Sequence, residues 1–216
     1  MTRPQPSMDH LERHQRDLQE YKHNVHSSAA GRFGPAWWGL WEQFVHVPAD
    51  GTVVDLGAGS GALLSRLRDR LPHARLVGVE LHPEMAALAR QTLEGSNVDI
   101  VEADLAVPVP LEDACADVVV SALVFHELPH PPDLLVNAAR LVKPGGHLVL
   151  FDIVKFPLSE YLADRELSRD SLDHYREHCL FSPEDLAFLV DHHGFEVQEV
   201  VGRNQGRFAQ VFAVRR

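Results

Sequence analysis

A chain of 216 residues with 45% hydrophobic side chains can bury one ordinary core and is too apolar to be disordered. Its formal charge of −11, with the basic residues scattered, lacks the footprint that nucleic acids or anionic membranes need. The polar run Met1 to Glu20 is no secretory signal, and no apolar stretch approaches the roughly 18 to 20 residues that span a bilayer, so a cytoplasmic protein is expected.

In chain order, Leu11, His14, Leu18, Tyr21 and Val25 recur at spacings of three and four, one face of an amphipathic helix. The run Ser27 to Pro35 breaks it, and Trp37, Leu40, Trp41 and Phe44 then mark a second short helix with an aromatic face. Residues 1–50 read as an N-terminal helical cap, either packed on the domain or closed over its site. In the second case His14 and Tyr21 point toward a substrate and join the catalytic candidates.

From residue 51 onward strands and helices alternate, which predicts a doubly wound, mostly parallel sheet with helices on both faces. The expected strands are Thr52 to Leu56, Arg75 to Glu80, Val98 to Glu102, Ala116 to Leu123 and His147 to Val154. Helices are expected from Leu63 to Leu71, Pro83 to Leu93 and Pro132 to Val142, the last stopped by Lys143-Pro144-Gly145-Gly146. Leu158 to Leu180 reads as a charged helical insert, and Ser182-Pro183-Glu184-Asp185 opens a further helix with a capping box. Phe195 to Val201 and Phe208 to Val214 are joined by a link too short for a crossover helix, so they pair as an antiparallel hairpin. That makes seven strands in all. Cys115 and Cys179 have no C-x-x-C partner and read as packing residues.

The stretch Val53 to Leu63 carries the most chemistry. Strand, glycine turn and helix opening follow one another, with Asp55 at the strand's carboxyl end, where open α/β sheets bind ligands. Taken alone the stretch is ambiguous, because Gly57, Gly59 and Ala62 also fit the dinucleotide fingerprint G-x-G-x-x-G/A. A nicotinamide-dependent oxidoreductase is therefore one reading of these residues.

Further pieces bear on the choice. Asp55-Leu56-Gly57-Ala58-Gly59-Ser60-Gly61 opens the series. Glu80 ends strand two, Asp104 follows strand three in Val101-Glu102-Ala103-Asp104-Leu105, and Asp117-Val118-Val119-Val120 begins strand four. Leu141-Val142-Lys143-Pro144-Gly145-Gly146 precedes strand five. In this order and at these strand ends, the chain resembles the class I S-adenosylmethionine-dependent methyltransferases over roughly residues 50 to 216. The resemblance implies S-adenosyl-L-methionine as cofactor, with Gly57, Ala58, Gly59 and Gly61 around its methionine portion and Asp55 near its ammonium. It also implies Glu80 and Leu81 at the ribose, Asp104 and Leu105 at the adenine, and Ala122 and Leu123 along the channel. The activity implied is methyl transfer by in-line displacement to a small molecule, with neither nucleic acid nor membrane as partner and no indication of oligomeric state.

Beyond strand four, Val124-Phe125-His126-Glu127-Leu128 lies at the lip of the expected site. His126 is the candidate general base, since its ordinary pKa lies near working pH, and Glu127 ranks below it. Asp152, Tyr161, His174, Tyr175 and His178 are further substrate-side candidates. The pairs His10 and His14, His23 and His26, and His174 and His178 each fit one helix face. No H-E-x-x-H or cysteine set accompanies them, so solvated histidines and no metal are expected. One other reaction and one non-catalytic role share the outline: intramolecular cleavage of S-adenosylmethionine releasing methylthioadenosine, and cofactor binding without turnover.

Overall fold

The computed structural model describes residues 31–163 and 165–216; the expected helix from Leu11 to Val25 lies outside them. Helix α1 (Pro35–Phe44) is followed by β1 (Thr52–Leu56), α2 (Ala62–Arg70), β2 (Arg75–Glu80), α3 (Pro83–Thr92) and β3 (Val98–Glu102). Next come β4 (Ala116–Ala122), a short 3₁₀ turn (Phe125–Glu127), α4 (Pro132–Leu141) and β5 (Val142–Ile153). The chain then forms α5 (Leu158–Tyr161), α6 (Arg169–His178), α7 (Pro183–His192), β6 (Phe195–Arg203) and β7 (Phe208–Arg215). Helices α1, α3, α4 and α7 begin at proline, whose fixed φ and missing N–H suit a first helical turn. The expected capping box is present at α7: Ser182 Oγ accepts from Asp185 N–H at 3.1 Å, and Asp185 Oδ2 accepts from Ser182 N–H at 2.8 Å.

The seven strands lie in the order β3-β2-β1-β4-β5-β7-β6, parallel except for the two pairings of β7. The order reverses between β1 and β4, and ligands of open sheets bind outside the strand carboxyl ends at such a point. Period-2 alternation divides the buried strand residues between two faces. Val54, Leu56, Val119 and Leu150 pack on one side with α4 and α7. Val53, Val118, Val120 and Val149 pack on the other with α1 and α2. Trp37 is fully buried there and meets Phe151 edge-on at 5.5 Å, so α1 shares the domain's core.

Two local expectations are revised. The segment from Leu158 to Leu180 is two helices, because Ser168 caps a new start: its side chain accepts from Ser171 N–H and so competes with a continuous helix. The Lys143-Pro144-Gly145-Gly146 turn is absorbed into β5 as an irregularity, with Gly145 at φ +78° and a register shift against Ala116 and Val118. Asp117 serves this end of the sheet, holding Lys143 Nζ at 2.8 Å and Thr52 N–H at 2.8 Å. Both cysteines are free, as expected. Among the described residues no helix is long and apolar enough to cross a membrane.

Candidate active site

A cleft of about 280 Å³ opens at the switch point. It is lined by Asp55, Gly57, Ala58, Gly59, Glu80, Leu81, Asp104, Leu105, Ala122 and Leu123, which the sequence brings to one place, and by Ser60, Val124, His126 and Glu127. Gly61 sits just behind, as the left-handed residue that opens α2. Arg32 and Phe33 also reach the wall, from the stretch expected only to break a helix. His14 and Tyr21 lie outside the described residues.

The glycine turn is shaped by its backbone. Gly57, Gly59 and Gly61 have φ of +85°, +55° and +76°, a region in which a Cβ is costly. At Gly57 the limit is also steric, since a Cβ would stand 2.2 Å from Val124 Cγ2. Glu80 holds the turn from the neighbouring strand. Its Oε2 accepts from Gly59 N–H at 2.8 Å and its Oε1 from His82 N–H at 2.8 Å. Burial pushes the Glu80 carboxyl up, against the pull of these amides.

Asp55 is 2% exposed, and burial, followed by the charge of Glu80, raises its carboxyl to about 7. A folded-state pKa above the unfolded one means that the fold prefers the protonated acid. Stability from this group is therefore complete below about pH 4 and is lost as pH rises through about 7. Asp55→Asn, a neutral stand-in, should melt several degrees higher than the parent protein at pH 8 when ligand-free, with the gap closing toward pH 4. Equal melting curves at pH 8 would contradict this account of Asp55.

The third wall follows β3. Asp104 Oδ1 accepts from Ala106 N–H at 2.9 Å, which sets the turn. Asn137, buried in α4, ties the loop down: its amide donates to the Leu105 and Val107 carbonyls at 2.9 and 3.0 Å and accepts from Val109 N–H at 3.0 Å. Nothing near it in the sequence signals this long-range tether.

The 3₁₀ turn after β4 also borders the cleft. Leu123 adopts φ +60°, a strained value for a leucine, while donating to the Phe151 carbonyl at 2.8 Å. Asp152, fully buried at the end of β5, accepts from Val124 and Phe125 N–H at 3.1 and 2.9 Å and from Ile153 N–H at 2.8 Å. It also takes His126 Nδ1–H at 2.5 Å. Asp152 does not line the cleft: it orders the turn and aims His126. Burial works to lower the His126 pKa, but the Asp152 charge and hydrogen bond, with Glu127 adding to them, outweigh it and raise it to about 10. His126 is thereby biased toward its protonated form, with Nδ1 committed to Asp152.

The insert departs further from expectation. Tyr161, His174 and Tyr175 do not line the cleft. Tyr161 packs with Phe156 and Cys179, and its hydroxyl meets His174 Nδ1 at 2.8 Å. His178 is 3% exposed, not solvated, and approaches Glu127 Oε1 at 4.0 Å, while His126 Nε2 lies 3.2 Å from the same oxygen.

The chemistry of the cleft suits the expected cofactor. Asp55 and Glu80 are buried carboxylates able to accept from hydroxyl or ammonium donors, and the buried Ser60 hydroxyl has no hydrogen-bond partner among the described residues. Residues 54–150 match the family model described as a methyltransferase domain. The chain is 27% identical over 160 residues to an arsenite methyltransferase of Halobacterium salinarum, covering 71% of this chain and 39% of that protein. It is 36% identical over 107 residues to a demethylmenaquinone methyltransferase of Thermus thermophilus, covering 49% and 47%. The chain thus spans less than half the length of either relative. In fold it is similar to a SAM-dependent methyltransferase of Aquifex aeolicus, with a TM-score of 0.65 and 21% identity over 87% of this chain and 97% of that one. The antiparallel end of the sheet agrees with that likeness and not with a nicotinamide fold. On these grounds residues 54–150 match a methyltransferase domain, set in a fold similar to that of S-adenosylmethionine-dependent methyltransferases.

Proposed function

We propose that the protein transfers a methyl group from S-adenosylmethionine to a small-molecule nucleophile by in-line displacement. The observation that carries this reading is the set of residues brought to one cleft. The glycine turn with Asp55, Glu80 and Asp104 lines the same cavity as Leu123, His126 and Glu127 from the segment after β4. The cofactor, when bound, supplies a methyl carbon already activated by a sulfonium. What remains for the chain is to align an acceptor, exclude water and hold charge. Glu80 takes the ribose hydroxyls with Leu81 beside it, Asp104 and Leu105 take the adenine, and Asp55 faces the ammonium. Ala58, Gly57, Gly59 and Gly61 leave room for the methionine chain, and Ala122 and Leu123 flank the methyl group. His126, aimed by Asp152, orients the acceptor. A role for residues 1–50 as a cap is supported by Arg32 and Phe33 in the cleft wall. The relatives' named substrates, arsenite and demethylmenaquinone, support a small acceptor.

Calorimetry with S-adenosylhomocysteine tests the cofactor, and mass spectrometry of products with a panel of small thiols, phenols and carboxylic acids tests the reaction. Expected is S-adenosylhomocysteine formation that depends on an added acceptor. Methylthioadenosine produced without acceptor would instead establish intramolecular cleavage, and absence of binding would remove the reading altogether.

A further inference from the structure

Two segments far apart in sequence converge beside the cleft. The 3₁₀ turn after β4 brings His126 and Glu127, and the last residue of α6 brings His178. Ligand atoms of all three lie within 4.8 Å of one another. From these residues we propose a binding site for a divalent cation of the zinc or ferrous type, held by His126 Nε2, a Glu127 carboxylate oxygen and the His178 ring.

The distances suit a tetrahedral ion. Metal–ligand bonds of roughly 2.1 Å place neighbouring ligand atoms roughly 3.4 Å apart. Here Nε2 of His126 and Nδ1 of His178 stand 3.2 and 4.0 Å from Glu127 Oε1. The two imidazoles stand 5.2 Å apart at 70°, so they converge on the carboxylate without stacking. Two nitrogens and one carboxylate make the donor set of catalytic zinc sites, which keep an open position, and they exclude the all-oxygen preference of magnesium or calcium.

The surroundings are arranged as metal sites require. A ligating histidine passes its other N–H to a carboxylate that is itself fixed, and Asp152 does this for Nδ1 of His126 while three backbone amides hold it. Behind His178, the His174 ring lies at 4.1 Å, anchored through Tyr161 to the insert. The cation takes the place of the proton that Nε2 otherwise shares with Glu127. His126 and Glu127 both line the cleft, so the open position faces the acceptor. An alcohol or thiol, as a zinc-binding nucleophile, is the acceptor class that fits. This last step rests on the methyl-transfer reading, whereas cation binding does not.

Titration of the full-length chain with zinc chloride, and with cobalt(II) followed by visible absorption, tests the site without cofactor. Expected are one ion per chain, a cobalt spectrum of four-coordinate intensity, and at least roughly hundredfold weaker binding in both Glu127→Gln and His178→Asn, with circular dichroism confirming that each variant folds. Absence of binding, or binding that survives both substitutions at full strength, overturns the proposal; the second outcome would place the ion at other histidines. If one variant fails to fold, the other decides alone, and if both fail, full-strength binding in His126→Gln overturns the site. S-adenosylhomocysteine affinity measured in the same samples reports the cofactor reading separately.

Discussion

Replacing Glu80 by alanine should weaken S-adenosylhomocysteine binding at least tenfold, and calorimetry against the parent protein reads this directly. Two losses act together. The carboxylate is the acceptor proposed for the ribose hydroxyls, and hydrogen bonds to a charged group contribute roughly 1.5–3 kcal/mol each. The same carboxylate bridges Gly59 N–H and His82 N–H, so its removal frees the glycine turn that shapes the methionine end. Glu80→Gln separates the effects: it keeps one acceptor oxygen but directs an amide N–H toward one of the two backbone donors, so its affinity should fall between the two proteins. Affinity unchanged in Glu80→Ala would place the cofactor elsewhere. Asp55→Asn should also weaken binding, through the loss of the ion pair proposed with the ammonium, although it should stabilise the ligand-free protein at pH 8. A substitution that raises stability and lowers affinity marks a group held in an unfavourable state for its ligand.

The largest effect on stability is expected at Asp152. With its carboxylate gone, Asp152→Ala leaves the Val124, Phe125 and Ile153 amides and the His126 ring without their acceptor. Each buried donor left unsatisfied costs about 1–3 kcal/mol, and partial relaxation of the turn brings the total to about 4 kcal/mol. Chemical denaturation should show a loss of that order, with the far side of the cleft retaining its cofactor affinity in whatever fraction is folded. A loss below about 1 kcal/mol would mean that the turn does not depend on this carboxylate.

The parts of this architecture that were legible share a physical origin. Strand and helix periodicity, prolines at helix starts and glycines at positive φ are local consequences of backbone sterics, so β1 to β4 and the turn at Gly57 follow from short windows of sequence. Carboxylates at strand ends were equally readable, because topology carries every such end to one edge of the sheet. What stayed hidden depends on contacts between distant residues. Asn137 looks like any helical asparagine until its three loop partners are present. Asp152 looks like a substrate contact because a strand-end carboxylate usually is one, yet here the 3₁₀ turn folds over it. His178 belongs to a charged, solvated-looking helix and is buried only because α6 ends against Glu127.

The insert between Lys155 and Phe181 meets itself: Lys155 N–H donates to the Phe181 carbonyl at 2.8 Å. Its own cluster of Phe156, Tyr161 and Cys179 stands apart from the two clusters on the sheet faces. A segment closed at its neck and stabilised from within behaves as an exchangeable cassette. Grafting another such loop at this neck would replace His178 while leaving Gly57, Glu80 and Asp104 where they are. Divergence of the insert therefore need not disturb the wall that carries the glycine turn.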